Sequence, residues 1–232
     1  MPNPPQSFTS RLIKKEELTR DTYSFYFERA STFEFIPGQY IKMVLNIENP
    51  DDRGTSRFFS IASSPTEKEH LMITTRILKS SFKKTLGSLP IGSEVQMRGP
   101  HGTFVLDEQD TKGKVYLAGG IGITPARSML VYLRDKKIAI PFTLMVSFSN
   151  RNEIIFQEEL NALSDDARKV AYVVTSEDGR IDEEKISKNV PDLLDSLFYI
   201  SGPGGFVEAM EKLAKSMGVR EENIKSEDFP GY

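Results

Sequence analysis

The apolar residues of this 232-residue chain change their period near residue 107, and that change restricts its fold more than any other feature. Up to Leu106 they recur at every second position. Tyr23, Phe25 and Phe27 alternate with Ser24, Tyr26 and Glu28, and Ile41, Met43, Leu45 and Ile47 repeat the pattern after the turn at Pro37-Gly38-Gln39. Successive side chains of a strand point to opposite faces, so each run reads as a half-buried strand. Further β-rich runs at 57–62, 71–78 and 94–98, with one helical piece at 82–89, predict a closed antiparallel β-barrel. The polar stretch from Asp107 to Lys114 then reads as a linker. Beyond it strands at 115–118, 142–146, 170–175 and 197–200 alternate with helices at 125–134, 155–163 and 206–217. That alternation predicts a parallel sheet covered by helices. The expected organisation is an antiparallel β-barrel domain over 1–108 followed by a parallel-sheet α/β domain over 109–232.

Composition narrows the chemistry. Cysteine is absent and histidine occurs only at positions 70 and 101. Disulfides, thiolate nucleophiles and Cys-ligated zinc or iron–sulfur clusters are therefore excluded from this sequence, and no metal site is expected. Thirty basic against 33 acidic residues leave a formal charge of −3, which argues against a nucleic-acid surface. No signal peptide and no membrane-spanning apolar run are read, so a cytoplasmic protein is expected.

Two loops of the second domain carry the sharpest signals. Tyr116-Leu117-Ala118 runs into Gly119-Gly120-Ile121-Gly122-Ile123-Thr124-Pro125 and then a helix. Glycines let the backbone turn tightly and approach a ligand closely, while Thr124 suits an N-cap and Pro125 the first helical position. A helix N-terminus behind such a loop favours a phosphate, although strand–glycine–helix units also serve as plain connections. Phe198-Tyr199-Ile200-Ser201-Gly202-Pro203-Gly204-Gly205 is a second loop of this type. In a parallel sheet both would open at the same edge.

In the barrel, Arg57-Phe58-Phe59-Ser60 puts Arg57 and Phe59 on one face, with Phe58 and Ser60 on the other. A guanidinium matches a phosphate through its planar fork, and an aromatic ring can cover a flat heterocycle. A surface arginine beside core phenylalanines would look the same. Ser80-Ser81-Phe82-Lys83-Lys84 opens the lone barrel helix, whose free N–H groups with Lys83 suit a diphosphate.

Taken in order, these segments resemble the ferredoxin–NADP reductase superfamily over essentially the whole chain. Arg57-Phe58-Phe59-Ser60 is similar to its Arg-x-Tyr-Ser/Thr flavin signature, with phenylalanine for tyrosine. Gly99-Pro100-His101-Gly102-Thr103-Phe104 is similar to its Gly-Pro-x-Gly-x-Phe segment, and the 119–125 loop to its nicotinamide-nucleotide loop. Ser201-Gly202-Pro203 resembles its Cys-Gly-Pro segment with serine for cysteine, and Glu227-Asp228-Phe229 its terminal Glu-x-aromatic element, here followed by Pro230-Gly231-Tyr232.

The resemblance implies FAD in the barrel and NADH or NADPH in the α/β domain. It assigns the FAD diphosphate to Arg57, Ser81, Phe82 and Lys83, with Thr74 and Arg76 along the FAD chain. Phe59 would lie against the isoalloxazine, Ser60 near its N5, and Phe229 or Tyr232 over its other face. Gly119, Gly120, Gly122, Thr124, Pro125, Gly202 and Pro203 would hold the nicotinamide nucleotide. Ser147, Asn150 and Arg151, after the second α/β strand, would lie near its adenosine ribose. There Arg151 suits a 2′-phosphate, whereas Glu177 would repel one, which tilts the choice towards NADH. Ser60 and Glu227 would relay a proton, and Ser201 would orient the nicotinamide.

The function implied is hydride transfer from NAD(P)H to FAD, with electrons passed to a separate carrier such as ferredoxin or flavodoxin, or to a small-molecule acceptor. Lys14-Lys15 and Lys83-Lys84 are candidate guides for an acidic carrier, but ordinary solvated lysines explain them more simply. Alternatives are an NAD(P)H:flavin reductase, a non-catalytic electron-transfer or regulatory subunit, and a nucleotide-binding module without flavin.

Overall fold

In the computed structural model, which describes residues 4–229, the chain divides into two units. One holds the residues up to Leu106 together with Arg127–Tyr132, and the other holds Asp107–Ala126 and the residues from Leu133 onward.

The first unit contains β1 (Gln6–Thr19), β2 (Thr22–Glu28), β3 (Tyr40–Val44), β4 (Ser56–Ser60), β5 (His70–Arg76), α1 (Ser81–Ser88) and β6 (Glu94–His101). Its strands form one antiparallel, barrel-like sheet in the order β4-β3-β6-β1-β2-β5. The 14-residue β1 lets the sheet wrap. Its first half pairs with β6, its second half with β2, and a register shift falls between Leu12 and Lys14. The alternation read from the sequence places Phe25, Phe27, Ile41, Met43, Phe59 and Ile73 in one core, joined by Phe82 and Leu86 from α1. Each such side chain contributes roughly 1.5–3 kcal/mol on burial.

The second unit contains β7 (Lys114–Gly119), α2 (Ile123–Asp135), β8 (Phe142–Phe148), α3 (Gln157–Ala162), β9 (Arg168–Val174), α4 (Thr175–Asp178), α5 (Glu183–Asn189), β10 (Leu197–Gly202), α6 (Gly204–Ser216) and β11 (Ile224–Asp228). The strands form a parallel sheet in the order β11-β10-β7-β8-β9. Strand order therefore runs outward in both directions from β7. The crevice where a parallel sheet binds ligands lies at such a switch, beyond the carboxyl ends of the strands. All residues of β7 and β10 are buried, as expected for strands covered on both faces. Among the described residues no helix is long and apolar enough to cross a membrane.

Candidate functional site

In the first unit the flavin-signature strand β4 shows the expected alternation. Arg57 and Phe59 are buried, whereas Phe58 is 63% exposed. Phe59, 8% exposed, belongs to the barrel core and packs on Phe82 at 5.9 Å between ring centroids. The Arg57 guanidinium is held by a short-range cage. One terminal nitrogen donates to the carbonyls of Arg53, Gly54 and Ser56, the other lies 2.8 Å from Asp51, and its plane sits over Phe82 at 5.2 Å. Its Nε is buried without a hydrogen-bond partner among the described residues.

Helix α1 begins beside that arginine. Ser80 caps it by accepting from the Lys83 N–H at 3.2 Å. The Ser81 N–H, which has no intrahelical acceptor, donates to Asp51 at 3.0 Å, and the Asp51 N–H donates to Ser81 Oγ at 2.9 Å. Asp51 was not singled out in the sequence; its only local signal is the Asp51-Asp52-Arg53-Gly54 turn. Burial opposes its ionisation, but hydrogen bonds from Arg57 and Ser81 outweigh this and hold its carboxyl below the ordinary value. Lys83 is also buried. Burial, and then the positive charges of Arg53, Arg57 and Arg76, push its pKa down to about 8. A buried cationic cluster with an orphaned Arg57 nitrogen fits a diphosphate, and the Asp51 carboxylate stands where one phosphate's charge would be received.

Thr74 and Arg76 lie on β5. The Thr74 hydroxyl is paired with Ser24 at 2.7 Å, and Arg76 lies 3.8 Å from Asp21. Ser60 is half-buried at the end of β4. On the outward face of β3, β4 and β6, Phe58 meets Tyr40 edge-on at 5.5 Å, with Lys42 over its ring at 6.0 Å. His101 stacks on Tyr40 at 5.6 Å, and burial, then Arg98 and Lys42, lower its pKa. Of the other basic residues, Lys14 and Lys84 are exposed, whereas Lys15 is committed inward. Lys15 donates to the carbonyls of Gly87 and Leu89 at the end of α1, and Lys14 pairs with Glu16. His70 is half-buried against Tyr26 rather than solvated.

In the second unit the two glycine loops meet at the switch point. A Cβ at Gly122 would lie 2.3 Å from the Ser201 carbonyl oxygen, and one at Gly202 would lie 3.0 Å from the Gly119 carbonyl oxygen, with φ at +150°. The helix start differs from the N-cap reading of Thr124. A 3-10 turn over Gly120–Gly122 leads directly into α2 at Ile123, so Thr124 and Pro125 already lie in the first turn. The Thr124 hydroxyl donates back to the Ile121 carbonyl at 3.0 Å. The glycines tighten the entry by two residues, leaving nothing for threonine to cap.

Ser201 is fully buried on β10, its hydroxyl 2.7 Å from the Gly122 carbonyl and 2.7 Å from the Tyr116 hydroxyl. Gly202 accepts from the Phe229 N–H at 2.9 Å, which ties the C-terminal segment to this loop. Glu227 pairs in register with Ser201. Its Oε2 is buried without a partner among the described residues, and burial, then the Asp228 charge, raise its pKa to about 7. At the far end of β8, Asn150 donates to Glu153 at 3.1 Å, and Arg151 pairs with Glu177 at 2.5 Å. Ser147 lies on β8 before this turn. Tyr232 lies outside the described residues.

Known proteins share both units. Residues 9–106 match the family described as "Oxidoreductase FAD-binding domain", and residues 116–212 the one described as "Oxidoreductase NAD-binding domain". Flavohemoprotein A of Dictyostelium discoideum is 30% identical over 93% of this chain and 58% of its own length. Ferredoxin–NADP reductase B of Sorangium cellulosum is 27% identical over 97% of this chain and 98% of its own. A ferredoxin NADP+ reductase from Neisseria gonorrhoeae, solved with bound FAD and NADP, superposes with a TM-score of 0.82 at 19% identity, over 96% of this chain and 98% of that one. The chain spans about three-fifths of the length of several curated relatives that it matches.

Proposed function

Because the chain belongs to the ferredoxin–NADP reductase superfamily and is an FAD- and NAD(P)-dependent oxidoreductase, we propose that it moves a hydride from NADH to FAD and passes the electrons to a separate acidic carrier of the ferredoxin or flavodoxin kind. The observation that carries this reading is a phosphate cradle in each unit: the buried cationic cluster at α1, and the paired glycine loops at the switch point. FAD, when bound, would supply the two-electron redox chemistry between nicotinamide and acceptor.

The chain's own residues bind and orient. Arg57, Lys83 and the Ser81 N–H hold the FAD diphosphate, Arg76 and Thr74 border it, and Phe82 supports the arginine plane. Ser60, half-buried at the end of β4, would border the ring system, with Phe59 behind it in the barrel core. The 119–122 and 202–203 glycine segments bring a nucleotide diphosphate against the α2 N-terminus. The reacting nicotinamide and flavin atoms need an approach of roughly 3–3.5 Å. Glu227, half-buried and with its pKa raised to about 7, is suited to hold a proton exchanged with a flavin. Arg151 is already paired with Glu177, so a 2′-phosphate meets a carboxylate there, while a ribose 2′-hydroxyl can donate to it. That pairing supports NADH over NADPH.

The acceptor surface we assign is the outward face around Phe58. An exposed aromatic ring among Lys42, Arg98 and His101 suits an acidic protein, with charge steering the encounter and the ring providing the contact. A second reading, a flavin reductase that releases its flavin, is favoured by Asp51, whose carboxylate competes for the diphosphate donors. Anaerobic titration of the purified protein with NADH and with NADPH, followed by an acidic one-electron carrier, tests the main reading. A yellow protein bleached by NADH and reoxidised by the carrier is expected. A colourless protein, or a flavin left oxidised by both nucleotides, overturns it; flavin lost on dilution selects the second reading.

A further inference from the structure

Tyr116 is the polar exception within a strand otherwise built from Val115, Leu117 and Ala118 above Lys114. It is fully buried, and its ring stacks on Tyr199 at 6.0 Å and on Phe142 at 6.2 Å. Burial of this depth demands a partner for the hydroxyl, because an unpaired one costs several kcal/mol. The nearest partner is Ser201 Oγ on the neighbouring strand at 2.7 Å, with the Gly122 carbonyl farther off at 3.4 Å.

The direction of the chain follows from proton counting. Each hydroxyl has one proton to donate. The Gly122 carbonyl can only accept, and Ser201 Oγ is 2.7 Å from it, so Ser201 spends its proton there. Ser201 must then accept from Tyr116, whose own distance to the Gly122 carbonyl is 3.4 Å. The order is Tyr116 to Ser201 to Gly122, from the strand to the last residue of the glycine turn. A serine hydroxyl alone has three staggered rotamers; the bond from Tyr116 selects the one aimed at the loop.

We propose that Tyr116 is a positioning residue for the nicotinamide-nucleotide loop: acting through Ser201, it fixes the Gly122 carbonyl and so the curvature of the Gly119–Gly122 turn. The proposal rests on the reading that this loop holds the nucleotide. It also explains how a serine serves where the family carries a cysteine. A thiol needs no strong donor beside it, whereas a buried hydroxyl does, and Tyr116 supplies it.

The test is a double-mutant cycle on the full chain with FAD bound. ADP-ribose and NADH affinities, KM and kcat for flavin reduction, and melting temperature are measured for Y116F, S201A and Y116F/S201A. Loss of one buried hydrogen bond predicts about fivefold weaker ADP-ribose binding and a KM for NADH raised about as much for Y116F, with kcat changed less than about twofold. The double variant should bind no worse than S201A, since the tyrosine acts through the serine. Y116F/S201C should return most of the lost affinity, and it keeps the cycle readable if S201A folds poorly. A lower melting temperature with unchanged affinity and KM in Y116F overturns the proposal, as do additive losses in the double variant. Wild-type protein that binds neither ADP-ribose nor NADH instead overturns the nucleotide reading itself.

Discussion

The carboxylate of Asp51 bridges the Arg57 guanidinium, at 2.8 Å, and the first N–H of α1 at Ser81, at 3.0 Å. An internal anion thus satisfies the same donors that a diphosphate would use. Within a cluster that also holds Arg53, Arg76 and Lys83, it is the charge an incoming phosphate must displace. Replacing it as Asp51→Asn removes one negative charge next to the site. FAD affinity of the apoprotein is expected to rise about tenfold at low salt, with less gain at high salt, while the apoprotein itself melts earlier. Fluorescence titration with FAD at two ionic strengths measures this; weaker binding in the variant would show that Asp51 orients Arg57 rather than competing with the ligand.

On the proposed assignment, Lys83 should make FAD binding pH-dependent. In the apoprotein burial and neighbouring arginines hold its pKa at about 8, below its ordinary value. A diphosphate favours the charged form, so above pH 8 binding must take up a proton. Affinity should therefore be flat below that pH and fall above it, by up to about tenfold per pH unit. For the apoprotein without ligand the sign reverses: unfolding takes up a proton between about 8 and the usual lysine value, so stability rises with pH there. Lys83→Met should flatten both curves, and a Lys83→Met titration that keeps the wild-type slope would refute the assignment.

Glu227 carries the opposite stability signature. Its pKa of about 7 lies above the ordinary carboxyl value near 4.3. The folded state keeps a proton that the unfolded state has already lost, so this contribution is full at low pH and disappears as pH rises through about 7. Glu227→Gln should match wild type below about pH 4 and exceed it by about 1–2 kcal/mol above pH 8, after allowance for screening. The same variant should slow reoxidation of the reduced flavin more than its reduction. Parallel melting curves across the pH range would remove the buried-carboxylate argument.

On the proposed reading, Arg151 and Glu177 set the choice of nucleotide. The hydrogen bond and charge of Glu177 raise the Arg151 pKa and occupy its fork. Glu177→Gln frees the guanidinium for a 2′-phosphate. The ratio of kcat/KM for NADH over NADPH should drop about tenfold, mostly through KM for NADPH. An unchanged ratio would place the adenosine ribose elsewhere.

Much of this architecture was legible from the sequence because burial leaves a period. The fully buried strands β7 and β10 are predominantly apolar runs, and Arg57 and Phe59 share a face by simple alternation. The strand β1 left no such trace. Only Ser10 and Leu12 are buried among its 14 residues, and Lys14-Lys15-Glu16-Glu17 reads as a solvated stretch. The edge strand β11 is likewise polar. Lys15 reads as a solvated lysine or a steering charge, yet it satisfies the last carbonyls of α1 some seventy residues away. Asp51 and Ser81 are separated by thirty positions, and Tyr116 and Ser201 by 85. Such contacts depend on register and loop path, which local patterns do not encode. A tyrosine inside an apolar strand is the one hint that a buried hydroxyl awaited a partner.

The central claim is that this chain moves a hydride from NADH to its own FAD. Anaerobic rapid mixing of the FAD-loaded protein with NADH and with NADH deuterated at the transferring position tests it most directly. Single-turnover bleaching of the flavin, slower with the deuterated nucleotide, is expected. A flavin that binds firmly but stays oxidised in excess NADH would contradict it.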